Sequence, residues 1–106
     1  MTEEQKARLE ALQKEHGRIA HTVLDDGTML AFRSPTLDEW EDFQEALSGT
    51  KRKGATYREL AQRTCVEPGV DALKKLFAQY PALSVAIAGT LSELAGSEID
   101  VTIKKG

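Results

Sequence analysis

Residues 32–43 read FRSPTLDEWEDF, and this stretch decides how the chain is read on either side of it. Pro35 has no N–H to give a strand ladder and biases Ser34 toward an extended backbone, so a strand running through Phe32 and Arg33 must stop there. Thr36 is then placed to cap a helix, with Glu39 completing a capping box and Pro35 able to pack against Trp40 as a hydrophobic staple. Leu37, Trp40, Phe43 and Leu47 recur at near-helical spacing on one side, while Asp38, Glu39, Glu41, Asp42 and Glu45 fill the rest. The first acids sit where the helix dipole favours negative charge.

Upstream, RIAHTVL and TMLAFR flank an Asp-Gly pair, a strong local signal for a β-hairpin over residues 18–33. Ile19, His21 and Val23 share one face of the first strand, and Thr28, Leu30 and Phe32 share one face of the second. Residues 1–16 predict a peripheral helix, opened by a Thr2/Gln5 capping box and ended by Gly17. Its apolar stripe, Ala7, Leu9, Ala11 and Leu12, is thin, as in a helix that lies on the surface or pairs with another chain.

Downstream, SGTKRKG reads as a polar loop, and Thr56 with Glu59 forms a second capping box ahead of the stripe Tyr57, Leu60, Ala61, Thr64 and Cys65. After a break at EPG, a further helix presents Val70, Leu73, Leu76, Phe77 and Tyr80 and closes at Pro81. Residues 82–95, ALSVAIAGTLSELA, are apolar or small on nearly every side, which predicts a helix surrounded by neighbours; Gly96 suits the left-handed position after it. Ile99, Val101 and Ile103 alternate with polar residues, so a strand is expected over 98–104, available to join the hairpin as a third strand. The expected fold is a single α+β domain over 1–106: a small antiparallel sheet, hairpin plus C-terminal strand, packed against a cluster of four to five helices that occupies 36–96.

With 106 residues, 41% of them hydrophobic, the chain is long enough for one core without metal or disulfide staples. A net charge of −3 lacks the surplus of Lys and Arg that phosphate recognition usually requires. The single Cys65 cannot form an internal disulfide, and the charged N-terminus has no apolar core of the signal-peptide kind, so the reducing cytoplasm is the expected compartment. Pro81 to Ser92 is uncharged but far short of the roughly 20 residues that a membrane-spanning helix needs. No membrane partner is expected.

Side chains that could carry chemistry are few. His16 and His21, with Asp25 or Asp26, match no standard ligand spacing, so no metal is expected. Cys65 falls on an apolar stripe and reads as a buried structural thiol. The carboxylates of the Trp40 helix form a row of like charges, a solvated face or a docking surface for a basic partner, which does not separate an acid from a base. KRK at 51–53, with Arg58 and Arg63 beyond, would serve a small nucleic-acid-binding regulator, although Tyr57 is the one aromatic platform beside it. No phosphate loop, dinucleotide fingerprint, nucleophile elbow or HExxH is present, so neither catalytic residues nor a cofactor are expected.

From the hairpin onward, FRSPTLDEWEDF, then YRELAQRTCVEP, then LFAQYPALSVAIAGTLSELAG resemble, in that order, the small tail assembly chaperones of tailed bacteriophages and prophages. The likeness covers residues 16–96, about three quarters of the chain. It implies a non-enzymatic protein of the bacterial cytoplasm that coats the long helical tape measure protein until tail tube subunits polymerise around it. The tail tube protein is a further candidate partner, and small homo-oligomers are a further expectation, since an uncovered strand edge invites self-association. It also implies a short form and a longer frameshifted form, of which this chain would correspond to the short one or to the amino-terminal part of the long one. Helix-in-groove recognition would suit that role, with Trp40, Phe43 and Leu47 on one helix, Phe77 and Tyr80 on another, and the edge of Ile99, Val101 and Ile103 as candidate contact residues. An adaptor in another bacterial assembly is the remaining alternative.

Overall fold

The Asp26–Gly27 pair makes the turn its sequence promises. Gly27 adopts φ +89°, a left-handed conformation that costs glycine little. Asp26 Oδ1 accepts from the Thr28 N–H at 2.9 Å, and the Leu24 N–H donates to the Thr28 carbonyl at 2.9 Å. β1 (Ile19–Val23) and β2 (Met29–Arg33) therefore pair antiparallel, in register from Ile19 opposite Arg33 to Val23 opposite Met29. The computed structural model describes residues 1–49 and 52–97.

A third strand, β3 (Cys65–Glu67), pairs antiparallel with the other side of β2, giving the order β1-β2-β3. The strand expected over 98–104, with Ile99, Val101 and Ile103, lies outside the described residues. Cys65 does not continue its helical stripe. Its φ and ψ of −67° and 122° are extended, while the Thr64 hydroxyl turns back to the Leu60 and Ala61 carbonyls at 2.9 and 3.3 Å. Pro68 adds its own bias by disfavouring helix at Glu67.

Among the described residues, five α-helices join this sheet in an α+β fold: α1 (Glu3–His16), α2 (Leu37–Gly49), α3 (Lys53–Thr64), α4 (Val70–Gln79) and α5 (Leu83–Ser92). A π-helical turn, Glu93–Ser97, follows α5 and bends at Gly96, where φ is +117°. α3 starts four residues earlier than the Thr56/Glu59 capping box predicts, and Thr56 is buried inside it. α2 does carry its capping box: the Glu39 N–H donates to Thr36 Oγ1 at 3.2 Å, and the Thr36 N–H donates to Glu39 Oε1 at 2.9 Å.

β2 is buried on both faces, and that organises the layers. Leu30 and Phe32 point into the main core with Phe43, Leu60, Leu73, Phe77 and Leu91. Met29 and Ala31 alternate with them and face the opposite way, yet they too are buried. α1 lies against β1 and β2 and buries Leu9 and Leu12, which belong to no part of the main cluster. The N-terminal helix therefore covers the second face of the sheet. Gln5 Nε2 donates to the Gly27 carbonyl at 2.8 Å and Arg8 pairs with Glu67 at 2.8 Å, holding the helix to the hairpin turn and to β3. The apolar stripe that looks thin in sequence suffices because only two leucines are needed to seal a narrow sheet.

Candidate partner-binding site

The chain carries no charged side chain from Leu76 to Ser92, a span that includes all of α5. Ser84, Ile87, Ala88 and Leu91 turn inward, and α5 packs mainly on α3. The rest of the helix, Val85, Ala86, Gly89 and Thr90, faces solvent, with Val85 57% exposed. A helix enclosed on all sides, the sequence expectation, is not what forms. Uniform apolarity gives a helix no preferred face, so its neighbours decide which part is covered, and here they cover half.

Beside the exposed face runs a trough of about 170 Å³, walled by Ala20, His21, Thr22 and Phe32 of the sheet and by Ala86, Ile87 and Thr90 of α5. Its cause is a shortage of side-chain volume. Across β1 and β2, Ala20 stands opposite Phe32 and Thr22 opposite Leu30. The β2 residues are large enough to reach the helices, but the β1 residues are not, and α5 meets them with an alanine and a threonine. Leu24 and Leu83 continue the trough into a wider hollow of about 460 Å³, bordered by Val23, Tyr80 and Pro81. Tyr80 is 47% exposed there and Val23 39% exposed. Large apolar side chains left in water next to a concavity mark an interaction surface more often than chance exposure.

The residues that sequence reasoning offered for partner contact are placed unevenly. Tyr80 stands at the hollow and is free to touch a partner. Phe77 and Phe43 are core residues, 5% and 7% exposed. Trp40 and Leu47 are half-buried against that core; the Trp40 and Phe43 rings lie 5.3 Å apart, and Phe43 and Tyr57 6.1 Å apart. Leu37, expected on the apolar side of α2, is 72% exposed. Val85 and Ala86 are not among them: the uncharged run marks α5 as apolar but not which of its sides stays open.

The acidic row on α2 is not uniformly solvated. Glu39 is buried at the corner where β2, α2 and the end of α3 meet. Arg33 grips it with two parallel bonds, Nη1 to Oε1 at 2.7 Å and Nη2 to Oε2 at 2.8 Å, and also donates to the Arg63 carbonyl at 2.8 Å. Arg63 adds Nε 3.7 Å from Glu39 and Nη1 3.1 Å from Asp42. The Arg33 fork, helped by the Thr36 N–H and hydroxyl, holds the Glu39 carboxyl down at about 2 against the cost of its burial. A carboxylate so engaged stays ionised near neutrality and has no proton to exchange. It is a structural clamp.

The other candidates are dispersed. Burial pushes the Cys65 thiol up, and its Sγ donates to the Glu67 carbonyl at 3.3 Å. His16 ends α1 and His21 lies on β1; no group of three metal-ligating side chains occurs among the described residues. The basic cluster divides, because Arg63 is committed to acids while Arg58 faces a different cleft; Lys51 lies outside the described residues. Among the described residues no helix is long and apolar enough to cross a membrane.

No protein-family model matches the chain, and no curated protein matches it. Among solved structures, an uncharacterised protein of Bacillus stearothermophilus is similar, with a TM-score of 0.70 over 91% of this chain and 99% of that one, at 18% identity. That likeness concerns the fold.

Proposed function

We propose that the chain is a non-enzymatic tail assembly chaperone of a tailed phage or prophage, acting in the bacterial cytoplasm to hold the tape measure protein in soluble form. The observation that carries the reading is the uncharged, half-exposed α5 beside an apolar trough. Burying such a surface releases water from apolar area at about 25 cal/mol per Å², enough for a chaperone to bind without chemistry. The partner is the one implied by the resemblance of the motifs between residues 16 and 96 to tail assembly chaperones. A long helical protein exposes apolar stripes until it is packaged, and helix-in-groove contact is a direct way to cover them.

Co-expression with a tape measure protein tests this reading. The partner is expected to stay soluble and to co-purify. Ala86 is exposed on the trough wall, so Ala86→Glu leaves the melting temperature within a few degrees and weakens partner binding at least tenfold, as read by co-purification and by titration. Equal aggregation of the partner with and without this chain disproves the chaperone role.

A further inference from the structure

Arg58 on α3 and Lys74 on α4 line one cleft of about 320 Å³, floored by Phe77 and bounded by Pro81. Neither cation has an ion-pair partner among the described residues, whereas Arg8, Arg33 and Arg63 all do. Two like charges brought to one concavity from separate helices repel each other, and an incoming anion relieves that. Pro81 also borders the hollow at Tyr80, and the hollow shares Leu24 and Leu83 with the trough beside α5. The surface is thus cationic at one end and carries Asp25 in its middle; its far wall on α5 is uncharged.

Resting on the chaperone reading, we propose that this surface takes an amphipathic α-helix of the partner in one polarity, acidic end at Arg58 and Lys74 and apolar stripe along the trough. Charge complementarity fixes the polarity, and the largely apolar trough supplies the affinity. The small Ala86 on the trough wall lets a helix approach α5 closely. α5 itself is about 15 Å long, so the occupant needs at least three turns.

Two labelled amphipathic peptides of roughly 18 residues, about five turns, provide the test. They share one Leu/Ala stripe and differ only in carrying Glu or Lys at one end. With the full chain at low salt, the Glu peptide is expected to bind at least tenfold tighter than the Lys peptide, and in helical form by NMR. The exposed pair Arg58→Glu/Lys74→Glu reverses that order while leaving the thermal melt unchanged. Equal affinity for the two peptides, binding of neither, or binding as an extended strand on the β1 edge overturns the proposal. So does salt-dependent binding of a DNA oligonucleotide that needs Arg58 and Lys74 while the peptides are ignored. If the peptides fail but co-expression still keeps the tape measure protein soluble, the polarity falls and the chaperone reading stands; if co-expression fails, the reading itself falls.

Discussion

Leu30→Ala is expected to lower the free energy of unfolding by about 4 kcal/mol, which in a domain of this size is a drop of roughly 20 °C in melting temperature. Leu30 has no exposed surface and lies on the central strand. Its side chain fills the main core on the helical side of the sheet, and strands on both sides hold the backbone in place. The site therefore cannot collapse to fill the void, and the cost comes near the upper end for such truncations. Leu37→Ala is the matched control. Leu37 is 72% exposed, so its truncation is expected to change stability by less than about 0.5 kcal/mol. Urea denaturation of both variants checks the pair, and a loss of several kcal/mol from Leu37 with little from Leu30 would invert the packing described above.

Glu39→Ala is expected to cost about 3 kcal/mol. It removes the carboxylate half of the capping box, the bond accepted from the Thr36 N–H, worth about 1 kcal/mol, and leaves the Arg33 guanidinium at the corner of three elements without its carboxylate. Arg33 keeps some contact with water, which moderates the loss below that of a fully buried pair. The same clamp has a pH signature. Glu39 titrates at about 2 when folded, against an ordinary value of 4.5, so its contribution is fully present above pH 4.5 and disappears as pH falls toward 2. That contribution is of order 3 kcal/mol. The wild-type chain should lose stability across that window, and Glu39→Gln should lose less there because its side chain does not titrate. Acid denaturation followed by circular dichroism separates the two. Parallel acid profiles would remove Glu39 from the list of groups that set acid stability.

Much of this fold is legible in sequence because its signals are local. Asp26 and Gly27 specify a turn within four residues, and Thr36 with Glu39 specifies a helix start through bonds between near neighbours. What sequence hides depends on residues far apart in the chain. Cys65 fits the helical stripe of α3 by spacing, and only pairing with β2, more than thirty residues earlier, makes it a strand residue. Glu39 is indistinguishable from Asp38 or Glu41 until Arg33 and Arg63 converge on it. The trough follows from Ala20 and Thr22 lying across from Ala86 and Thr90, four unremarkable residues whose small volumes matter only once they face each other. Tyr80 could be picked out by its chemistry. Val85 and Ala86 could not, since an all-round apolar helix does not announce which side will be left open.

A photo-reactive amino acid placed at Ala86, with a second variant carrying it at Glu10 on the outer side of α1, tests most directly whether the α5 trough holds the partner. In the co-expressed complex, irradiation is expected to join the tape measure protein to the Ala86 variant and to leave the Glu10 variant unlinked. Capture through Glu10 with none through Ala86 would place the partner on the opposite layer and contradict a binding surface at α5.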